Sequence, residues 1–405
     1  MKRLIALVLL FAVLLSGCNA SRDLMKKIEP QIIEHTIEPN YAAMTDFSVR
    51  LFQNALQTGE NFCLSPVSVL SALAMTANGA NGETLSQMEA VLGQPISVLN
   101  DTIWSYQRKL PDEKKNHLYL ANAIWFADKD GFTANKTFLQ SNANYYGAEI
   151  RQATFDDKTI KKINDWVDKE TDGMIDQILQ QLSEETVMCL INAMAFEGEW
   201  QDPYLKTMVR DGVFTTEDGT EQNVEFLRGT YHGYLEDEQA TGLIRYYSKQ
   251  EYAFVALLPK EGISVAEYVA TLDGQTLHAM LSEPLDYDVR SAIPKFQMET
   301  SIELPEVLET MGMTNAFDFA KADFSKLGTS DKGNLAIGQV MHKAFIQLDE
   351  KGTKAGAASA VFMKEGAAPA PKIPKEVILD RPFVFLLMDS KTCVPFFIGT
   401  VMDVG

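Results

Sequence analysis

Residues 350–364 read Glu-Lys-Gly-Thr-Lys-Ala-Gly-Ala-Ala-Ser-Ala-Val-Phe-Met-Lys, a run of mostly small side chains. Alternate residues of an extended chain face opposite sides. One face would carry uncharged side chains that could be buried, namely Thr353, Ala355, Ala357, Ser359, Val361 and Met363. The other face would carry both lysines beyond Thr353, in the set Lys354, Gly356, Ala358, Ala360, Phe362 and Lys364. Because a shift of one residue would bury these lysines, the pattern predicts a loop that can become a β-strand in one register.

The sequence beyond this run favours an exposed loop that is anchored at its far end. Pro369, Pro371 and Pro374 cannot donate backbone hydrogen bonds and favour an extended, solvated chain. Residues 381–387, Arg-Pro-Phe-Val-Phe-Leu-Leu, are typical of a buried strand. A flexible alanine and glycine linker is the alternative interpretation of the composition.

The overall composition is that of a globular protein. The chain has 405 residues, of which 46% are hydrophobic, enough for one large domain or two ordinary ones. Its formal charge of −19 comes from 36 basic and 55 acidic side chains. This excess of negative charge argues against nucleic acid as a partner and against adsorption to an anionic membrane surface.

The N-terminus has the features of an export signal. A positively charged start at residues 1–3 precedes an apolar stretch at residues 4–15 that is too short to remain as a membrane span. Residues 15–18 read Leu-Ser-Gly-Cys, which resembles the bacterial lipobox.

The lipobox resemblance implies a lipoprotein. Residues 1–17 are then the signal peptide, Cys18 carries the lipid, and residues 18–40 form a tether interrupted by prolines. The expected location is the bacterial cell envelope, at a membrane surface that faces either the periplasm or the outside. An ordinary signal peptide with a chance cysteine would instead give a secreted protein.

Other chemistry-bearing residues do not form the motifs of known enzymes. The remaining cysteines, Cys63, Cys189 and Cys393, are odd in number and lie in apolar stretches, so we expect buried thiols without a disulfide framework. The sequence has no Gly-x-Ser-x-Gly, His-Glu-x-x-His or Cys-x-x-Cys motif and no phosphate-binding glycine loop. Its five histidines lack metal-ligand spacing. We therefore expect no enzymatic activity and no cofactor.

Helical patterns come early in the chain and strand patterns later. Apolar spacing and capping residues predict helices over residues 41–57, 65–79, 82–93 and 158–178. Nearly continuous apolar runs predict two central strands, at residues 117–126 and 187–196. Further strands are predicted at residues 214–216, 243–247 and 252–258. This order indicates an α+β domain over residues 41–405.

Many short motifs in this region carry a resemblance to one known family. They are Asn61-Phe62, Ser65-Pro66-Val67-Ser68, Ala72-Leu73-Ala74-Met75, Gly79-Ala80, Gly82-Glu83-Thr84, Asn192-Ala193, Phe196, Gly198, Trp200, Pro294-Lys295-Phe296, His342-Lys343-Ala344 and Arg381-Pro382-Phe383. In order and spacing they resemble the serpins. The resemblance implies a large central mixed β-sheet with additional sheets, about eight or nine helices and an exposed reactive-centre loop.

The resemblance also implies a mechanism. In serpins, a serine protease attacks the reactive loop and forms an acyl ester, and the loop then inserts into the central sheet and traps the enzyme. The hinge of the loop corresponds here to Glu350, Gly352, Thr353, Ala355, Gly356, Ala357 and Ala358. The shutter, where the sheet parts, corresponds to Ser65, Ser68, Asn192 and His342. The breach, at the top of the sheet, corresponds to Trp200, Lys295 and Glu350.

The bond that the protease cleaves is the least defined feature. The family spacing from Glu350 gives Gly366, and counting back from Pro382 gives Ala367. Both are small and indicate elastase-like or subtilisin-like targets, with cysteine proteases as possible further targets. Cleavage after Lys364 or Met363 would shorten the inserted strand.

Two other expectations follow from the same resemblance. A serpin fold can also serve as a non-inhibitory binding protein or as a simple protease substrate, and this is the alternative function. The protein is expected to be a monomer that contacts the membrane through its lipid anchor alone.

Overall fold

Nine α-helices form in the part of the chain that the structure, a computed structural model, describes: residues 21–35, 37–110, 116–182, 186–331, 333–353 and 373–405. They are α1 (Tyr41–Ala55), α2 (Pro66–Ala77), α3 (Gly82–Leu92), α4 (Ile96–Lys109), α5 (Lys136–Tyr146), α6 (Asp157–Glu170), α7 (Val265–Thr271), α8 (Gly274–Ser282) and α9 (Pro305–Thr310). The three helices predicted first along the chain are confirmed to within a few residues.

Local sequence signals explain where these helices begin and end. The Ser65 hydroxyl accepts a hydrogen bond from the Ser68 amide at 3.4 Å and so caps α2. Pro66 occupies the first turn, where its missing N–H is not needed. Gly93 ends α3 in a left-handed conformation with φ of 80°, which glycine adopts without strain.

Most of the strands belong to two large sheets. They are β1 (Ser21–Asp23), β2 (Phe62–Leu64), β3 (Asn116–Ala127), β4 (Thr133–Ala134), β5 (Glu149–Ala153), β6 (Met188–Glu199), β7 (Val209–Thr215), β8 (Glu221–Glu236), β9 (Ala240–Tyr246), β10 (Tyr252–Pro259), β11 (Leu285–Pro294), β12 (Phe296–Glu303), β13 (Gly328–Thr329), β14 (Gln339–Leu348), β15 (Gly352–Thr353), β16 (Lys375–Ile378), β17 (Phe383–Asp389) and β18 (Pro395–Val401). A small additional pair joins β4 to β13.

The central sheet has seven strands. Its order is β1-β5-β3-β6-β15-β14-β12. We call the direct parallel pairing of β6 with residues 339–345 of β14 the seam. At one end of the seam the two strands separate, and β15 enters between them, antiparallel to both.

The second sheet packs behind the central sheet and completes the core. It has nine strands in the order β16-β11-β8-β9-β10-β17-β18-β2, with β7 beside β8. Aromatic side chains join the two sheets: the Phe196 ring of β6 lies 5.2 Å from both the Tyr252 ring and the Phe396 ring, between centroids. Such contacts bury large apolar areas and fix the sheets against each other.

The helix predicted over residues 158–178 is observed as α6 but ends earlier, at Glu170. The prediction was wrong in its last third because Asp172 and Gly173 have φ of 51° and 74°, a left-handed conformation that ends an α-helix. The irregular chain that follows is held to the sheet, since the Lys343 ammonium donates a hydrogen bond to the Gln177 carbonyl at 2.8 Å.

The described part of the expected tether is fastened to the body. β1 pairs antiparallel with β5 at the edge of the central sheet. Further along, the His35 ring stacks on Trp104 with centroids 3.4 Å apart, and its Nδ1 lies 2.7 Å from an Asp101 carboxylate oxygen. The segment therefore differs from a free linker, because a sheet edge offers unpaired backbone groups to an extended chain.

The three buried cysteines are free thiols in the described residues, as expected. Burial raises the pKa of the Cys63 thiol to about 12, so this thiol stays protonated and unreactive. Among the described residues, no helix has the length and apolar character needed to cross a membrane.

Candidate functional site

The hinge begins inside the central sheet. Gly352 pairs with Glu199 and Thr353 with Gly198, at the end of β6. Gly352 has a φ of 154°, and a Cβ at this position would collide with the Gly198 carbonyl oxygen. Only glycine therefore lets the hinge backbone approach β6 this closely.

Thr353 is held from behind by an aromatic pair. Its side chain is buried, and its hydroxyl shares a hydrogen bond of 2.5 Å with the Tyr247 hydroxyl. The Tyr247 ring stacks on Trp200 with centroids 4.5 Å apart and an interplanar angle of 10°. Thr353 thus lies on the inward side of the sheet, the side that the alternation of residues predicts for it.

At the breach, Trp200 and its neighbours bind the hinge backbone. The indole N–H of Trp200 donates to the Asp349 carbonyl at 2.9 Å, and its backbone N–H donates to the Lys351 carbonyl at 2.9 Å. The Tyr204 amide donates to the Glu350 carbonyl at 3.0 Å. The carbonyls of three consecutive residues, 349–351, are thereby held by one short stretch of chain at the start of the hinge.

The predicted ion pair of the breach is present but open to solvent. The Lys295 ammonium lies 2.8 Å from a carboxylate oxygen of Glu350 and 2.8 Å from one of Glu225. The hydrogen bond from Lys295 lowers the pKa of the Glu350 carboxyl. Burial alone would lower the pKa of Lys295, but the hydrogen bonds to Glu225 and Glu350 outweigh burial and raise it. The Glu350 side chain is 34% exposed, so the pair contributes no more than about 1 kcal/mol.

A buried arginine behind the breach was not predicted from the sequence. Arg245 is 3% exposed and lies with its guanidinium carbon 3.6 Å from the centroid of the Tyr231 ring. It also faces the rings of Trp200 and Tyr204, and it donates a hydrogen bond to the Asp202 carbonyl. Arg245 therefore supports the stretch that binds the hinge, although a charged residue in a strand would ordinarily be expected on the surface.

The shutter residues meet in one buried network below the hinge. In the register of the parallel pair, His342 of β14 lies opposite Asn192 of β6. The Nε2 atom of His342 accepts a hydrogen bond from the Ser65 amide at 3.0 Å. Its Nδ1 must then carry the proton, which it donates to the Asn192 carbonyl oxygen. Each of these residues is fully buried.

The amide of Asn192 extends this network to the next strand. Its Nδ2 donates to the Ser68 hydroxyl and to the Asn122 carbonyl oxygen, both at 2.6 Å. The Ser68 hydroxyl also donates to that Asn122 oxygen at 3.0 Å. Asn122 was not assigned a role from the sequence, because only the pairing of Asn122 with Asn192 in the sheet reveals it.

Burial keeps the shutter histidine neutral. Desolvation lowers the pKa of His342 from 6.5 to about 3. The side chain therefore bonds as a neutral imidazole at physiological pH, with one donor and one acceptor nitrogen. Ser65 adds a further buried contact, in which its hydroxyl donates to the Met194 sulfur at 2.8 Å.

Several predicted site residues lie outside the described part of the chain. They are Ala355, Gly356, Ala357 and Ala358 of the hinge, the candidate cleavage residues Met363, Lys364, Gly366 and Ala367, and the lipidation residue Cys18. Among the described residues, no group of three or more histidine, cysteine or acidic side chains could hold a metal ion.

Comparison with known sequences identifies the family. The family model described as "Serpin (serine protease inhibitor)" matches residues 42–404. An uncharacterised serpin-like protein of Thermococcus kodakarensis is 30% identical over 375 residues, covering 90% of this chain and 86% of the relative. Serpin B9 of Homo sapiens is 29% identical over 370 residues, covering 87% of this chain and 96% of the relative.

Comparison with solved structures points to the same family. The thermophilic serpin tengpin in its native state is 45% identical, with a TM-score of 0.89 over 95% of this chain and 100% of that chain. Tengpin in its latent state is 44% identical, with a TM-score of 0.79 over 93% of this chain and 100% of that chain. The predicted serpin fold is confirmed, and the chain belongs to the serpin family.

Proposed function

We propose that this protein is a suicide-substrate inhibitor of serine proteases. The protease cleaves the reactive loop and is trapped as an acyl ester when the loop inserts between β6 and β14. One observation carries the proposal: Gly352 and Thr353 already occupy the start of this path, while the seam below them is closed. Extension of β15 along the same line would bring in the small side chains of residues 355–361 next.

Insertion of the loop supplies the energy for trapping. Roughly a dozen new backbone pairs at about 0.5–1.5 kcal/mol each would contribute on the order of 10 kcal/mol. At about 3.3 Å per residue, a strand of about 15 residues would carry the ester roughly 50 Å. The protease then loses the alignment of its oxyanion hole, because that stabilisation depends on the position of the bound carbonyl.

The similarity to tengpin supports an uninserted starting state. The TM-score is 0.89 against the native form of that protein and 0.79 against its latent form. The direct β6–β14 pairing in this chain is the arrangement that insertion would replace. Both observations support a starting state in which the loop is not inserted and from which an inhibitor would act.

Small residues at the proposed cleavage point favour elastase-like or subtilisin-like targets. We place the cleavage after Gly366 or Ala367, at a membrane surface of the cell envelope to which a lipid on Cys18 anchors the protein. Both proposals rest on the sequence, since these residues lie outside the described ranges.

Incubation with pancreatic elastase tests the proposed function. An inhibitor gives a covalent complex that survives SDS gel electrophoresis, and mass spectrometry of the released peptide locates the cleaved bond. A binding protein or simple substrate with this fold would give a clipped chain and no complex.

A matched pair of variants tests the insertion step. Ala357→Arg places a charge on the face that would be buried, so the chain should be cleaved without complex formation. Ala358→Arg adds the same side chain to the outward face and should still form the complex. Equal behaviour of the two variants would show that the assumed register is wrong.

A further inference from the structure

Ser21, at the start of the described N-terminal segment, and the hinge lie at opposite ends of the central sheet. Thr353 pairs with Gly198, and Gly198 pairs with Asn116 of β3, so these residues mark the hinge pole. Ser21 pairs with Ala153, which lies beside the other end of β3, and these two residues mark the anchor pole. The 11 steps of β3 between the two poles span about 36 Å at 3.3 Å per residue.

β1 enters the sheet from the anchor pole. Ser21 lies opposite Ala153 and Asp23 opposite Arg151, so the strand runs from that pole towards the hinge pole. Ser21, through which the preceding chain is covalently joined to the described body, therefore lies at the anchor pole. Cys18 is three residues from Ser21, and a fully extended chain of this length reaches about 11 Å at most.

The described residues that follow β1 are also attached to the body, so they do not let the segment move away from it. The Leu24 amide donates to the Ile150 carbonyl at 2.9 Å, and the Gln140 side chain donates to the Glu29 carbonyl at 2.9 Å. The contacts of His35 with Trp104 and Asp101 fasten its far end. Only Asn19 and Ala20 separate Cys18 from the first residue of β1 in the sequence.

We propose that the lipid on Cys18 holds the body with its anchor pole against the membrane and its hinge pole facing away. The inference rests on the proposed lipidation and adds an orientation to the proposed inhibitor. A lipid bilayer is the partner of the anchor pole, because the three-residue spacing keeps the lipid-bearing Cys18 within about 11 Å of Ser21. The reactive loop is thereby presented to proteases arriving from the side opposite the membrane.

Energy transfer from the protein to the bilayer tests this orientation. The full-length lipidated chain is reconstituted in phosphatidylethanolamine and phosphatidylglycerol vesicles that carry an acceptor dye on their head groups. A donor dye is attached at one of two exposed positions, through Asp128→Cys near the anchor pole or Lys206→Cys near the hinge pole. The native thiols Cys63, Cys189 and Cys393 are buried, which keeps the labelling selective.

We expect several-fold stronger energy transfer from position 128 than from position 206. A control chain with 20 flexible glycine and serine residues inserted after Ala20 should lose this difference, because such a linker spans about 25 Å on average. Equal transfer from both positions in the unmodified chain, on vesicles that carry the protein after flotation, would overturn the orientation alone. Failure of the chain to float with vesicles would overturn the lipid anchor and the orientation together, without touching the inhibitor assay in solution.

Discussion

The breach binds the hinge above the seam and the shutter joins the two strands of the seam, and the two use different chemistry. At the breach, Lys295 binds Glu350 in an ion pair whose side chains are 25% and 34% exposed. At the shutter, His342, Asn192 and Ser68 are fully buried and hydrogen-bonded as neutral groups. An exposed ion pair is weak and screened by salt, whereas a buried polar network is costly to break.

This difference suggests that the breach and the shutter have different roles. In the proposed mechanism, the breach would release the hinge at little cost once the loop is cut. The shutter would hold the sheet closed until the inserting strand offers new hydrogen-bond partners. Three predictions test this comparison, from the largest expected effect to the smallest.

The largest effect is expected from Asn192→Ala. The substitution removes the partners of the His342 ring and the Ser68 hydroxyl, which are both buried. The His342 donor is left unsatisfied, at about 1–3 kcal/mol, while Ser68 keeps its bond to Asn122 and each of these two residues loses one hydrogen bond to Asn192, at about 0.5–1.5 kcal/mol. Together these losses should lower the free energy of unfolding by about 2–6 kcal/mol. Urea denaturation measures this change.

The control for this prediction is Asn223→Ala, an asparagine exposed on β8. An exposed substitution of this kind should change the free energy of unfolding by less than about 0.5 kcal/mol. A loss at Asn192 as small as that at Asn223 would mean that the shutter network does not stabilise the closed sheet.

Acid should weaken the shutter before the breach. The pKa of His342 is about 3 when folded and 6.5 when unfolded, so its stabilisation is complete above pH 6.5 and is lost as the pH falls towards 3. Between pH 7 and pH 5 the loss amounts to about 2 kcal/mol, at 1.36 kcal/mol per pH unit below 6.5. The Glu350 carboxyl has a lowered pKa, so its contribution is lost only below its ordinary value of 4.5.

Denaturation at pH 7 and pH 5 measures this effect. The glutamine in His342→Gln can form hydrogen bonds but cannot titrate. The part of the stability loss between pH 7 and pH 5 that occurs in the wild type and not in the variant is therefore assigned to His342. Identical losses in the two proteins would contradict the assignment.

The smallest effect is expected from Glu350→Gln. Loss of the exposed ion pair should cost about 0.2–1 kcal/mol, and the difference from wild type should shrink in 1 M salt, where the screening length is about 3 Å. Glu225→Gln is the matched control, because Glu225 binds the same Lys295 ammonium without belonging to the hinge. Glu350→Gln, but not Glu225→Gln, should speed spontaneous loop insertion. Native gel electrophoresis of samples taken over time measures the rate of insertion. Equal acceleration by the two variants would argue against a hinge latch.

Much of the fold was accessible from the sequence because its signals are local. The cap at Ser65-Pro66 and the glycine at Gly93 set helix ends through their own backbone preferences. The early end of α6 was missed because the left-handed Asp172 is not a glycine, and a non-glycine residue rarely adopts this conformation. The docking of β1 was missed because three residues at a sheet edge carry no periodicity.

Site residues that belong to family motifs were predicted from the sequence. Site residues that are defined only by their tertiary contacts were missed. The resemblance assigned Ser65, Asn192 and His342, and the structure brings their polar atoms into contact. Asn122 and Arg245 lie inside apolar strands and look unremarkable in sequence. Their roles depend on which strand or ring lies across from them, and that information is long-range.

The direction of β15 has a consequence for the energy stored in the sheet. β6 and β14 run parallel, and β15 is antiparallel to both. Lengthening β15 down the seam would exchange one ladder of slanted, slightly weaker bonds for two ladders of perpendicular ones. In the proposed mechanism, the change from parallel to antiparallel pairing would therefore favour the inserted sheet, in addition to the burial of the small loop residues.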